Sequence, residues 1–309
     1  MAAKKGVVGI IGLGIMGGAF AENLVAAGWR VFGYDVAAAR RRALKRKGVE
    51  IAADAGEVAR VAPTIIVSLP KPAALTQTVA AIVKAAAPRR VVIEASTFTL
   101  EDKAAAEAAL REAGHVLLDC PVSGTGAQAR VKDLVVYASG GAAHIKRLRP
   151  LFAGFSRAVH DLGEFGNGSR MKYVANLLVA IHNVASAEAM VLGIKAGLPP
   201  ELILDQVRIG AGTSRVFELR APMMARNRYG DPTATIAMFK KDIDVIGSYA
   251  QAIDVPTPLF SATLPIYAAA LSTGHGAEDA AAVCAVLEQM AGITRGKTTG
   301  KRGRRRSRS

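Results

Sequence analysis

The stretch "GVVGIIGLGIMGGAFAENLVAAG", residues 6–28, decides how the chain folds. Val7 to Ile11 form a short apolar run that ends in glycine, and a helical pattern then continues through Met16, Phe20, Leu24 and Ala27 until Gly28 stops it. Strand, tight turn and helix are expected in that order. Gly12, Gly14 and Gly17 occupy the turn with Gly-x-Gly-x-x-Gly spacing, and the next apolar run, "RVFGYD" at 30–35, ends on an acid. Such a context gives the spacing its meaning. The first glycine permits the turn, the second lets a pyrophosphate reach the backbone, and the third lets the helix pack closely on the sheet. Ile15 and Met16 complete the loop, whose helix N-terminus faces the phosphate charge. Asp35 is placed to accept hydrogen bonds from the ribose hydroxyls and to repel a 2′-phosphate, so NAD is the expected cofactor, with NADP the less favoured alternative. Arg40, Arg41 and Arg42 follow on a helix and are expected to face solvent; one turned inward would soften that discrimination.

Working outward, further strands are expected at 64–70, 90–96, 115–121, 133–141 and 157–163, with Ala-rich helical segments between most of them. Short buried strands alternating with helices imply an α/β fold, a mostly parallel, doubly wound Rossmann sheet over about residues 1–165. Ligands of such sheets bind beyond the carboxyl ends of the strands, which brings Leu69, Pro70, Ser96 and Thr97 toward the cofactor. The strand signals then cease. From 166 to 294 the chain reads as all-helical, led by a long helix beginning near Ser169, with later helices at 200–208, 214–226, 236–253, 258–272 and 277–290.

Composition narrows the function classes. A chain of 309 residues with 51% hydrophobic and 21% charged content is long enough for two folded domains. Cys120 and Cys284 are far apart and give neither a disulfide framework nor a metal spacing, and the five histidines show no ligand pair and no serine-hydrolase elbow. No metal site is expected. The apolar start imitates a secretory signal, but its five glycines between Gly9 and Gly18 weaken any such helix, and a cytoplasmic protein is expected. Of the formal charge of +15, eight positive charges fall in residues 295–309, "RGKTTGKRGRRRSRS", with no acid among them. That segment is expected to be a disordered tail, and nucleic acid is a candidate partner only through it.

One lysine stands out. In "GNGSRMKYVANLL", residues 166–178, Lys172 heads an otherwise apolar helix. At about 100° per residue, Asn176 and Asn183 fall within roughly 40° of it on the helical wheel. A snorkelling surface lysine is the plain reading of that stretch alone. The polar interruptions from Asn176 to Lys195 are too many for a lipid-facing span, so no membrane is expected.

Taken with the glycine loop, the segments "DCPVSG" (119–124), "GNGSRMKYVAN" (166–176) and "FKKDID" (239–244) carry a resemblance covering nearly the whole chain. The sequence resembles the β-hydroxyacid dehydrogenase family, which includes 3-hydroxyisobutyrate dehydrogenase and L-threonate dehydrogenase; "SAEAMVLGIKAGL" and "GAEDAAAV" point toward the L-threonate branch. The resemblance implies an all-α second domain like that of 6-phosphogluconate dehydrogenase. It implies that Ser123 and Gly124 hold the substrate carboxylate, with Thr125 where the family has a second glycine and Lys132 where another is usual. It further implies that Lys172 is the catalytic group with Asn176 beside it, and that Thr97 and Lys241 reach the cofactor.

On that footing the expected reaction interconverts a small 3-hydroxy acid and its semialdehyde or 3-keto acid by hydride transfer. Lys172 is the general acid/base, its pKa brought down from about 10.4 by burial. The competing readings are an imine reductase-like enzyme and a non-catalytic nucleotide sensor with a nucleic-acid-binding tail. The apolar surface of the helical domain leads to an expected homodimer or homotetramer.

Overall fold

A computed structural model of the chain describes residues 5–295. Strands and helices alternate through the first part: β1 (Val7–Ile11), α1 (Ile15–Ala26), β2 (Arg30–Tyr34), α2 (Ala38–Lys45), β3 (Glu50–Ile51), α3 (Ala55–Val61), β4 (Thr64–Val67), α4 (Pro72–Lys84), β5 (Val91–Glu94), α5 (Leu100–Glu112) and β6 (Val116–Asp119). The six strands form one sheet in the order β3-β2-β1-β4-β5-β6, and every neighbouring pair is parallel. Continuous apolar strands suit it because both faces are covered. Phe20, Leu24, Phe152 and Phe155 fill one side; Val58, Val79, Ile82 and Leu110 fill the other. Local signals set the helix ends. Asp54 caps α3 by accepting from the Glu57 amide at 2.7 Å, and Thr99 caps α5 from the Asp102 amide at 3.1 Å. The strand order reverses between β1 and β4, and there the two loops carrying Gly12 and Leu69 leave the sheet side by side.

The sheet ends earlier than the strand pattern implies. The expected run 115–121 stops at Asp119, since Pro121 has no N–H to continue a ladder, and the chain restarts as the two-residue β7 (Val122–Ser123). After α6 (Gly126–Arg130), β8 (Val135–Ala138) pairs antiparallel with β7, and after α7 (Ala142–Phe152), β9 (Ala158–Asp161) pairs parallel with β8. The strands expected at 133–141 and 157–163 therefore belong to a separate three-stranded sheet, not to the main one. Lys132, standing where the family usually has glycine, adopts a left-handed φ of +60° at the exit of α6.

At the opposite edge of the sheet from the strand carboxyl ends, Arg90 staples β5 to α3, donating to the Ala59 carbonyl at 2.6 Å and the Arg60 carbonyl at 3.0 Å. Its own amide donates to His115 Nδ1 at 3.1 Å, so that ring must be neutral. Burial, and then the Arg90 charge, hold the His115 pKa below its ordinary 6.5. The unfolded chain takes up a proton near that ordinary value while the folded chain resists it. Stability is thus full above about pH 6.5 and declines as pH falls from there toward the lowered folded value. Melting temperatures followed from pH 7.5 to 5 should fall more steeply for the natural protein than for His115→Gln; parallel curves would reject this linkage.

The rest is helical: α8 (Asn167–Lys195), α9 (Pro200–Val207), α10 (Arg215–Arg226), α11 (Ile236–Ala252), α12 (Pro258–Ser272) and α13 (Val283–Met290). The helix expected over 277–290 is shorter because Asp279 turns inward, accepting from the Thr233 amide and hydroxyl at 2.8 and 2.9 Å, and short 3-10 turns precede α13. Two compact units result. Among the described residues, one contains 5–176 and 244–254, the other 177–243 and 255–295. By their contacts, the first turns of α8 group with the sheet. In the second unit Asn183 is fully buried, donating to the Tyr267 hydroxyl at 2.9 Å and the Ala280 carbonyl at 2.8 Å, so it is a core residue and not part of an exposed polar stripe. By length and composition α8 could cross a membrane, yet Lys172, Asn176, Asn183 and Ser186 on it are all buried within the protein. Arg295, expected to open the tail, is held by the helical part: it donates to the Ala225 and Met224 carbonyls at 2.9 and 2.7 Å and pairs with Glu288. Residues 296–309, which carry the remainder of the basic segment, lie outside the described residues.

Candidate functional site

The site is built on the carboxyl ends of β1, β2, β4, β5 and β6. At β1 the glycines are demanded by space. A Cβ on Gly12, whose φ is +91°, would lie 2.1 Å from the Ser68 carbonyl oxygen, and one on Gly17 would lie 1.9 Å from the Gly12 carbonyl oxygen. The loop, the β4 exit and α1 therefore pack backbone to backbone. Gly14 differs, since a Cβ there meets only the Arg40 side chain at 3.7 Å; its lack of a side chain leaves the loop open to an incoming group. Helix α1 begins after Gly14 with no side-chain cap and no acid in its first turn. Ile15 is exposed and Met16 half-buried beside those amides. This is the form of an anion cradle, and it fits a pyrophosphate.

Asp35, just past β2, is 5% exposed. Its Oδ2 accepts from the Leu13 amide and its Oδ1 from the Ala37 amide, both at 2.8 Å, so the carboxylate ties the glycine loop to the start of α2. Arg40 does not simply face solvent as expected: its Nη1 lies 3.3 Å from Asp35 Oδ2. Arg41 donates to the Asp35 and Val36 carbonyls. Only Arg42 of the three has no such role among the described contacts.

Leu69 and Pro70 follow β4, and the Leu69 amide donates to Ser96 Oγ at 2.9 Å, joining that loop to the β5 exit where Ser96 and half-buried Thr97 lie. From β6 the chain reaches Ser123 on β7 and Gly124, whose φ of +132° and a Cβ position 2.5 Å from Leu134 Cδ2 exclude any larger residue. Thr125 is the N-cap residue of α6, and its amide donates to Gln128 Oε1 at 3.0 Å. Cys120, fully buried beside this turn, has its thiol pKa pushed well up by burial and then by Asp119, which makes it inert packing.

Helix α8 enters this cluster by its N-terminus. A Cβ on Gly168 would stand 2.4 Å from the Tyr137 carbonyl oxygen and 2.7 Å from that of Asp119, so only glycine admits the close approach. The Gly168 amide donates to Ser139 Oγ at 2.9 Å, and the Ser169 amide to Asp119 Oδ2 at 2.7 Å. Tyr173 donates its hydroxyl to the Phe98 carbonyl at 2.5 Å and packs against Tyr249 with ring centroids 5.1 Å apart and the rings tilted by 54°. Between these anchors Lys172 is 8% exposed, and its Nζ donates to the Val122 carbonyl at 2.7 Å. The ammonium is therefore held next to Ser123 and Gly124. Asn176, one turn on, is also buried. Lys241 belongs to the second unit, where its Nζ pairs with Asp242 at 3.0 Å. Sequence reasoning did not find Asp119, Ser139 or Gly168 as site residues. Asp119 and Gly168 do lie inside the quoted motifs, so the signal was present without a role attached.

A six-stranded parallel sheet with a backbone-packed glycine loop and an uncapped helix at its switch point defines a dinucleotide-dependent enzyme. Residues 7–163 match the profile of the NAD binding domain of 6-phosphogluconate dehydrogenase, and residues 166–287 that of the NAD-binding domain of NADP-dependent 3-hydroxyisobutyrate dehydrogenase. An L-threonate dehydrogenase of Cupriavidus necator is 32% identical over 91% of this chain and 95% of its own. An NAD-dependent L-serine dehydrogenase of Pseudomonas aeruginosa is 29% identical over 88% of this chain and 94% of its own. A crystal structure of a 3-hydroxyisobutyrate dehydrogenase from Salmonella typhimurium superposes with a TM-score of 0.84 at 32% identity, covering 91% of this chain and 100% of that one. The chain belongs to the β-hydroxyacid dehydrogenase family of NAD-binding oxidoreductases acting on CH–OH groups.

Proposed function

We propose that the protein interconverts a small 3-hydroxy acid and its semialdehyde or 3-keto acid. The observation that carries this reading is Lys172: a buried ammonium, held 2.7 Å from the Val122 carbonyl, adjoins the Ser123–Gly124 turn. In oxidation the neutral Lys172 amine takes the proton of the substrate hydroxyl, and in reduction the ammonium returns it. Asn176 orients the hydroxyl oxygen or the lysine. Ser123 and Gly124 hold the carboxylate, and Thr125, as the N-cap residue of α6, limits what fits beside it. Gly12, Gly14, Ile15, Met16, Gly17, Asp35, Leu69, Pro70 and Thr97 hold the dinucleotide, with Lys241 a further contact. Bound there, the nicotinamide supplies the hydride acceptor and donor. NAD is preferred over NADP because Asp35 presents a buried carboxylate toward the ribose side of the loop, while Arg40 at 3.3 Å reduces the margin.

The L-threonate, L-serine and 3-hydroxyisobutyrate enzymes among the relatives set the panel to test. NAD reduction followed at 340 nm with threonate, L-serine, glycerate, 3-hydroxyisobutyrate and 3-hydroxypropionate should single out one acid, with NADP the poorer cofactor. No turnover of any acid with either cofactor, despite cofactor binding, moves the weight to imines.

Exposed Val174, Leu178 and Leu192 on α8, with Leu202 and Leu259 on later helices and Ile209 in the turn after α9, support a homodimer through the helical part. Light scattering should give at least twice the monomer mass of 32.2 kDa, and a monodisperse monomer would reject it. A reducing compartment, the cytoplasm, suits the two buried free thiols.

A further inference from the structure

Glu94, Lys103 and Asp119 are all fully buried, and none has a role in the chemistry above. Lys103 Nζ lies 2.7 Å from Glu94 Oε2 and 2.6 Å from Asp119 Oδ1, and it also donates to the Ser96 carbonyl at 2.8 Å. Burying three charges is costly in desolvation, and two carboxylates around one ammonium leave a net negative charge in the interior. The remaining contacts of the cluster lead outward to different loops of the site. Glu94 Oε1 accepts from the Ser96 amide at 2.9 Å, and Ser96 Oγ in turn receives the Leu69 amide. Asp119 accepts from the Ser169 amide at 2.7 Å and the Ser169 hydroxyl at 2.9 Å, while the Ser139 hydroxyl donates to the Asp119 carbonyl at 3.2 Å. A carboxylate at this point also opposes the positive end of the α8 dipole, three residues before Lys172.

Building on the proposed role of Lys172, we propose that Asp119, paired with Lys103 at 2.6 Å, is a positioning residue for it. The carboxylate docks the first turn of α8 so that the Lys172 ammonium is presented to the Val122–Gly124 turn. Through Glu94 and Ser96, the same cluster keeps the β4 and β5 exit loops in register with that helix. Stability alone does not account for its place. The cluster sits at the carboxyl ends of β5 and β6, where the site is, whereas the Arg90 staple ties β5 to α3 at the other end of the strand.

Two variants of the full chain test it: Asp119→Asn, which keeps the shape and removes the charge, and Ser169→Ala, which removes the hydroxyl that donates to Asp119 and leaves every charge in place. Three quantities are read: kcat and KM for the acid found above, the Kd for NAD by calorimetry, and hydrogen exchange of the peptide spanning 166–176. The expected result is a kcat lowered tenfold or more in Asp119→Asn and severalfold in Ser169→Ala, with KM and the NAD Kd within about threefold. Exchange should quicken in 166–176 and stay unchanged in α1 and α3. Overturning results are a kcat within twofold of the natural protein in both variants, or exchange that quickens uniformly across the unit, the mark of a structural role only. If the natural protein oxidises no acid, the functional reading fails; the exchange of 166–176 still decides whether Asp119 docks the helix that carries Lys172.

Discussion

Lys172→Ala should lower kcat by roughly a hundredfold to ten-thousandfold, the loss expected when a general acid/base is removed, while NAD binds as before. The side chain is buried and hydrogen-bonded to the Val122 carbonyl, so alanine also leaves that carbonyl without its donor. A second substitution separates the two effects. Lys172→Arg keeps a cation and a donor in the same place, but a guanidinium does not give up its proton near neutral pH. If the lysine moves a proton, Arg is nearly as damaging as Ala in the oxidation direction. If it serves only as a fixed positive charge for the substrate, Lys172→Arg keeps most of the rate. Calorimetric NAD affinity for each variant should stay within about threefold, which confines the loss to the chemical step. Activity of Lys172→Ala within tenfold of the natural enzyme would remove it from the mechanism.

The glycine loop and the alternation of strands and helices were legible because both are local: Gly12, Gly14 and Gly17 announce a backbone contact at fixed spacing, and each central strand is a short apolar run. What was not legible depends on partners far along the chain. Lys103 sits in "LEDKAAAEAALRE", where Glu101, Asp102 and Glu107 make it look like one member of a solvated helix face. Its burial follows from Glu94 and Asp119, which only the fold brings to it. Asn183 misled for the same reason: the helical wheel places it near Lys172, while its hydrogen-bond partners Tyr267 and Ala280 lie 84 and 97 residues on. The strand β7 is two residues long, too short for any alternation to show, and it carries Ser123. Thr125 stood out only as a replacement for a family glycine; its position as the N-cap of α6 depends on Gln128, a pattern visible in sequence once a helix is known to start there.

Lys103→Met should be strongly destabilising. Burial alone disfavours the ammonium, yet Glu94 and Asp119 outweigh it and hold the Lys103 pKa above the ordinary lysine value. A raised folded pKa means that its contribution is fully present below the unfolded value near 10.5 and is lost only as pH climbs through the higher folded one, so nothing is lost near neutrality. Methionine fills similar volume but leaves two carboxylates facing each other in a dry interior. Removing one partner of such a buried group costs about 3–5 kcal/mol, a large share of a typical total of about 5–15 kcal/mol. At about 2–4 °C per kcal/mol for a chain of this class, the melting temperature should fall by on the order of 10 °C at pH 7.5. Adding Glu94→Gln to Lys103→Met leaves Asp119 as the only charge of the three, with Ser139 and Ser169 still donating to that residue, and should recover part of the lost stability. If the double variant melts lower than the single one, repulsion between the two carboxylates is not what destabilises Lys103→Met. If Lys103→Met melts within 2 °C of the natural protein, the cluster contributes no net stability and its retention rests on positioning alone.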